Sequence, residues 1–195
     1  MKHLLPEVKL ILGSKSPRRK YILEQAGFQF EVLTKEVEEV YPPETPVREV
    51  PEYLAKLKAA AIAKDTPKDA VVITSDTIVL LDGVIYGKPV DRADAVRILE
   101  ALSGNMHEVI TGVCLLQGEH SITFSETTKV YFDVLNDDEI NWYVDNFEVM
   151  DKAGAYAVQE GIGLIGITGM DGDYFNVMGL PMNRLYRELQ VFIEA

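Results

Sequence analysis

The run Ala70-Val71-Val72-Ile73-Thr74 constrains this chain more than any other stretch. Consecutive small and β-branched residues without polar alternation suit a strand covered on both faces, the condition of a central strand in a helix-flanked sheet. Just before it, Glu52 to Lys64 is alanine-rich, with Leu54, Leu57 and Ala61 on one stripe, and Pro51 opens it as a helix. Helix feeding buried strand is the pattern of an α/β domain. A chain of 195 residues allows one domain, or one domain divided into two lobes. At that size roughly 70% of the unfolded surface is buried, enough for a core without staples.

The other elements read as follows. Leu10 to Leu12 is a short apolar strand leading into Gly13-Ser14-Lys15-Ser16, and Pro17 opens a helix to about Ala26. Phe28, Phe30 and Val32 alternate with polar residues, as in a half-buried strand. Tyr41 to Pro51 carries Pro42, Pro43, Pro46 and Pro51 and reads as a loop excursion. Ile78 to Leu81 and Val84 to Tyr86 flank Asp82-Gly83, a strong hairpin signal. Asp91 caps a helix to about Leu102, stopped by Ser103-Gly104. Strands are expected from His107 to Leu116 and from Ser121 to Phe132, joined through Gly118-Glu119. Asn136 and Glu139 form a capping signature for a helix to about Phe147. Short strands between glycines follow, and Pro181 opens a terminal helix. Helices mixed with strands, hairpins included, imply an α/β domain on a mixed sheet.

Charge narrows the partners. Nineteen basic against 31 acidic residues leave a net charge of −12. Such a surface repels nucleic-acid backbone and anionic membrane, so neither is expected, and an anionic ligand needs a local basic cluster. No apolar run reaches about 18 residues, and Met1 to Glu7 is too short and too soon charged for a signal peptide, so a cytoplasmic location is expected. The single cysteine, Cys114, excludes an internal disulfide and a cysteine-ligated zinc cage, and its apolar neighbours make it a core thiol. His3, His107 and His120 share no ligand spacing, and His107 reads as a strand residue.

Two constellations carry chemistry. Ser14-Lys15-Ser16-Pro17-Arg18-Arg19-Lys20 lies where a strand meets a helix. Small hydroxyl residues let the backbone approach a ligand, free N–H groups at the helix start attract anions, and two arginine forks fit phosphate oxygens. A solvated basic face is the alternative, but this many cations together in an acidic chain favour an anion site. Ser75-Asp76-Thr77 directly follows the buried run. At the carboxyl end of such a strand, Asp76 suits a metal ligand or a general base for water, and a turn-forming aspartate is the equal alternative. Glu38-Glu39, Lys56, Lys58 and Lys88 read as solvated on spacing alone. Glu38 and Glu39 project to opposite faces if extended, so at most one faces a site. Gly161-Ile-Gly-Leu-Ile-Gly166 matches G-x-G-x-x-G, but the glycines after it leave no place for the required helix; it reads as a glycine-rich strand and bend. Asp171-Gly172-Asp173 reads as a turn, not a calcium loop, and no P-loop motif occurs.

With these residues together, the chain resembles the Maf family of nucleoside triphosphate pyrophosphatases. The matching stretches are Ser14-Lys15-Ser16-Pro17-Arg18-Arg19, Glu38-Glu39, Lys58-Ala59, Ser75-Asp76-Thr77, Gly87-Lys88-Pro89 and Ser103-Gly104 with His107. They continue through Asp151-Lys152-Ala153-Gly154-Ala155-Tyr156, Gln159, Asp173-Tyr174 and Gly179-Leu180-Pro181, in family order over nearly the whole chain. The D-K-A-G-A-Y…Q pattern is similar to that of the branch acting on dTTP and UTP. Gly13, where Ala is usual, and Ala157-Val158, where Gly-Ile is common, depart from the pattern without touching a charged group.

The resemblance implies a single domain over 1–195 with an inosine-triphosphate-pyrophosphatase-like fold: an elongated mixed β-sheet flanked by helices in two lobes, with a cleft between them. It implies Mg²⁺ or Mn²⁺ dependence and hydrolysis between the α and β phosphates to a nucleoside monophosphate and pyrophosphate. By position, Asp76 is the base for the attacking water; Arg18, Thr77 and Gln159 select substrate; Ser14, Arg19, Glu39, Lys58 and Lys88 line the phosphate and metal site, with Glu39 and Asp76 as metal ligands. The expected partner is the nucleoside triphosphate, and a homodimer is left open. Two rival functions stay open: a non-catalytic nucleotide-binding regulator of cell division or septum formation, and a phosphatase releasing orthophosphate.

Overall fold

The computed structural model describes residues 8–194; Met1 to Glu7, with His3 and the signal-peptide expectation, lie outside the described residues. In chain order the elements are β1 (Leu10–Leu12), α1 (Pro17–Gln25), β2 (Glu31–Val32), α2 (Val50–Ala63), β3 (Val71–Leu81), β4 (Val84–Tyr86), α3 (Arg92–Leu102), β5 (Met106–Gln117), β6 (His120–Phe132), α4 (Asp137–Asn146), α5 (Ile162–Ile165), β7 (Ile167–Asp171), α6 (Tyr174–Val177) and α7 (Met182–Glu194). The strands are hydrogen-bonded in the order β2-β1-β3-β5-β6-β7, with β4 paired to β3. β1 runs parallel to both β2 and β3, while β3–β4 and β6–β7 are antiparallel, so the sheet is mixed as expected.

Local signals place most elements. Ser16 caps α1 with Pro17 at its first position, Asp91 caps α3, and Asn136 and Glu139 complete a capping box on α4. Asp82 and Gly83 both take positive φ, as a tight two-residue hairpin turn requires. Among the described residues no helix is long and apolar enough to cross a membrane. Cys114 is fully buried, and desolvation pushes its thiol up to about 11.

Five expectations need correction. β3 does not stop at Thr74: it runs for 11 residues, so Ser75-Asp76-Thr77 lies mid-strand and Ile78 to Leu81 is its continuation. The polar residues do not break the ladder because their side chains have partners. Thr74 Oγ1 donates to Ala55 O (2.7 Å), Ser75 Oγ donates to Gly179 O (3.3 Å), and Asp76 meets Lys58. The alternating Phe28-to-Val32 strand shrinks to Glu31–Val32, both exposed, with only Phe28 buried among the alternating residues. In α2 the buried stripe is Leu54, Ala55, Ala59 and Ile62, with Leu57 and Ala61 at its margin. Finally, Ile162–Ile165 forms one helical turn, and strand geometry begins only at Ile167. The strand-like reading of Ala155 to Val158 fails likewise: this stretch follows a 3₁₀ turn and joins no strand.

The chain divides into two compact units. The first contains the chain up to Asp76, Thr111–Glu126 and Gly179 onward; the second contains Thr77–Ile110 and Thr127–Met178. In the first, Ile11, Ala55, Ala59, Ile62, Ala70, Val72 and Cys114 pack together. Gly112 is essential there: a Cβ would lie 2.3 Å from the backbone N of Glu52 and C of Pro51, so α2 rests directly on β5. In the second unit, α3, α4 and the 149–162 segment cover β3, β5 and β6 through Leu99, Leu102, Ile140, Tyr143, Tyr156 and Ile162.

Candidate active site

The first unit gathers six of the expected site residues. Asp76 sits at the middle of β3, and alternation places it on the same face as Thr74, toward α2. Thr74 bonds Ala55 of α2, and one turn later Lys58 delivers its ammonium to Asp76 Oδ1. The same Nζ pairs with Glu39 Oε1 at 2.7 Å. Lys58 and Asp76 are largely buried, with side chains 19% and 11% exposed, and Glu39 is half exposed. Of the acidic doublet it is therefore Glu39 that turns to this cluster, and of the two α2 lysines Lys58, not exposed Lys56.

The Ser14–Arg19 loop is tied to the same strand. Arg19 Nη1 donates to Ser75 O (2.8 Å) and to Ser14 Oγ (3.4 Å), and Arg19 Nε donates to Gly179 O (2.8 Å). Burial lowers the Arg19 pKa, opposed by Asp76, reinforced by Arg18 and opposed again by Glu39. These interactions put Arg19 within electrostatic reach of the Asp76–Glu39 carboxylates, with Arg18 beside it. Ser14 Oγ also accepts from Ser16 N (3.2 Å), so it shapes the turn ahead of α1. No acid occupies the first turn of α1, so Arg18 and Arg19 oppose the helix dipole there. The arrangement suits an anion held by cations beside a paired carboxylate set.

Thr77, Lys88 and Gln159 belong to the second unit. Thr77 is half-buried and points to the face of β3 opposite Asp76. Lys88 is exposed in the loop after β4, and the preceding Gly87 O accepts from Gly154 N (3.0 Å). Gln159 is half-buried, and its buried Oε1 has no hydrogen-bond partner among the described residues.

The family model described as Maf-like protein matches residues 9–192. The chain belongs to this family. A dTTP/UTP pyrophosphatase of Phocaeicola vulgatus is 49% identical over 187 residues, covering 95% of this chain and 97% of that one. A Porphyromonas gingivalis protein of the same name is 43% identical over 194 residues, covering 98% of each. The Staphylococcus aureus Ham1 protein shares the fold at a TM-score of 0.55 and 16% identity, over 94% of this chain and 98% of that one.

Some functional-looking residues of this Maf-like chain had weak sequence signals. The Gly179 carbonyl, partner of both Arg19 and Ser75, had none, because a backbone acceptor leaves no trace in residue type. Lys58 had one: a lysine beside the buried stripe of an alanine-rich helix. Lys152 is buried, with its ammonium on Glu148 O, Asp151 (3.0 Å) and Glu160 (3.2 Å). His107 is a strand residue as expected, but a fully buried one whose Nε2 meets Tyr156 Oη at 2.7 Å. Desolvation pushes the His107 imidazole from 6.5 down to about 4. A histidine held neutral in the fold but free to charge when unfolded has its full stability above about pH 6.5, and loses it as pH falls toward 4. The loss should total about 3 kcal/mol. Urea unfolding of wild type and His107→Gln at pH 7 and pH 4.5 checks this: the variant should show a shallower pH dependence.

Proposed function

We propose that this chain hydrolyses dTTP and UTP between the α and β phosphates, yielding a nucleoside monophosphate and pyrophosphate. One observation carries the reading: Asp76 and Glu39 share the Lys58 ammonium within electrostatic reach of Arg19. The names of the relatives support the same activity.

The donor set fits a divalent cation. Two hard carboxylates that converge on one nitrogen are close enough to converge on one cation, and Mg²⁺ or Mn²⁺ is commonly held by one or two carboxylates with substrate phosphates and water. Among the described residues no group of three or more His, Cys, Asp or Glu forms a self-sufficient cage, so the substrate phosphates would complete the shell. When bound, the cation neutralises phosphate charge. Asp76 takes the proton of the attacking water, and Glu39 shares its cation. Lys58 fixes both carboxylates and offers positive charge to the phosphate chain. Arg18 and Ser14 meet the phosphates. Arg19 has two nitrogens committed to protein oxygens, so it holds the loop in shape as well as adding charge. In the second unit Lys88 adds charge, while Thr77 and Gln159 serve substrate choice, a carboxamide offering both donor and acceptor to a pyrimidine edge. A cytoplasmic setting suits a nucleotide-pool role.

Incubating the protein and Mg²⁺ with dTTP, UTP, ATP and GTP, with separate detection of pyrophosphate and orthophosphate, tests the reading. Pyrophosphate should appear, with dTTP and UTP preferred by at least roughly tenfold in kcat/KM, about 1.4 kcal/mol. Orthophosphate as first product would make this a phosphatase. Binding without turnover would make it a regulator.

A further inference from the structure

The segment from Lys152 to Glu160 is unusual in this fold: Gly154 to Val158 is buried, yet it contributes no strand and only one 3₁₀ turn, Ala153–Ala155. A buried stretch without a ladder must be anchored by other bonds. Gly154 N donates to Gly87 O (3.0 Å), Ala157 N donates to Tyr143 Oη (3.2 Å), and Lys152 pairs with Glu160 (3.2 Å). Between them Tyr156 Oη meets His107 Nε2 of β5 at 2.7 Å. Gly154 takes φ +71°, and a Cβ there would lie 2.8 Å from Val79 Cγ2. Ala155 takes φ +59°, a left-handed conformation that a non-glycine residue holds only when its surroundings impose it. The segment is therefore over-determined, and Gln159 lies within it, next to the Glu160 anchor.

The His107–Tyr156 contact is a directional bond there that packing alone does not explain. His107, Phe132 and Tyr156 form a mutual edge-to-face aromatic cluster, with centroids 4.9–5.4 Å apart, which apolar rings would satisfy equally well. Polar atoms in this cluster carry a cost: His107 Nδ1 is buried with no hydrogen-bond partner among the described residues. What the polar pair adds is a fixed distance and direction from β5 to the backbone three residues before Gln159.

We propose that the His107–Tyr156 hydrogen bond is a positioning device for Gln159, setting where its carboxamide meets the pyrimidine edge. This rests on the base-reading role proposed above for Gln159. Tyr156 and His107 act through that residue and do not touch the reacting atoms.

Tyr156→Phe keeps the ring in its cluster and deletes only the hydroxyl. Values of kcat and KM for UTP and GTP should be measured for wild type, Tyr156→Phe, Gln159→Ala and the double variant. Tyr156→Phe should raise KM for UTP about fivefold, the size of one hydrogen bond, and leave kcat and the GTP constants nearly unchanged. The double variant should be no worse than Gln159→Ala alone, because the loss runs through Gln159. His107→Gln, which retains an N–H donor, should preserve more of the UTP preference than His107→Leu, and run through the same cycle it supplies an independent variant. Additive losses in both cycles, or equal losses on UTP and GTP, would overturn the positioning role while leaving the base-reading role standing. A wild type without pyrimidine preference would overturn the base-reading role, and this inference with it.

Discussion

Asp76→Asn is expected to lower kcat/KM for UTP about 10²–10⁴-fold while the protein stays folded. The substitution is isosteric, and the residue sits in a continuous strand whose neighbours Thr74 and Ser75 keep their own partners. Lys58 still has Glu39 as a counter-ion, and the asparagine oxygen can still accept from its ammonium, so no buried charge is stranded. What disappears is the group able to take a proton from water and one of two anionic donors for a cation. Calorimetric binding of a non-hydrolysable UTP analogue, beside a melting curve, separates these effects. Binding retained with turnover lost supports the assignment, and a variant with more than half of wild-type turnover would sink it.

Lys58→Met should also cost at least about a hundredfold in kcat/KM, but its stability should behave differently. Removing the ammonium leaves the Asp76 and Glu39 carboxylates near each other, one largely buried, without the cation that joined them. Breaking a fully buried pair costs about 3–5 kcal/mol. Because Glu39 is half exposed, about 2 kcal/mol is the expected destabilisation here. Two uncompensated carboxylates are also a better cation site than two already neutralised ones. Millimolar Mg²⁺ should therefore raise the melting temperature of Lys58→Met more than that of wild type, by the linkage of binding to folding. If Mg²⁺ leaves the variant's melting temperature where EDTA does, Asp76 and Glu39 are not a shared metal site.

The candidate site was legible in sequence to the extent that its groups act locally. The Ser14–Arg19 loop could be read because the small hydroxyl residues, the proline and the two arginines adjoin one another in sequence, and Pro17 does open α1, with Ser16 as its cap. Asp76 could be picked out as a carboxylate beside a buried run, but the strand end expected for it was wrong, since it lies mid-strand. A polar triplet normally ends a buried strand; this one continues because its partners come from 18, 19 and 104 residues away. The glycine-rich tract from Gly161 to Gly166 failed for the opposite reason. Its glycines suggested a strand and bend, yet one helical turn forms there, and Gly163 is needed because a Cβ would lie 2.1 Å from Ala157 O, so the turn winds tightly against the 155–158 segment.

Periodicity, caps and turn chemistry by themselves determined the mixed α/β character, the order of nearly all elements, the core thiol at Cys114 and the basic loop, because each of those signals operates between residues a few positions apart. Only the tertiary structure decided that Glu39 and not Glu38 meets Lys58, that Arg19 bonds Ser75 and Gly179 across 56 and 160 residues, and that His107 meets Tyr156 across 49. Charged and hydrogen-bonding side chains choose partners by distance in space, and that distance is set by the packing of α2, β3 and β5.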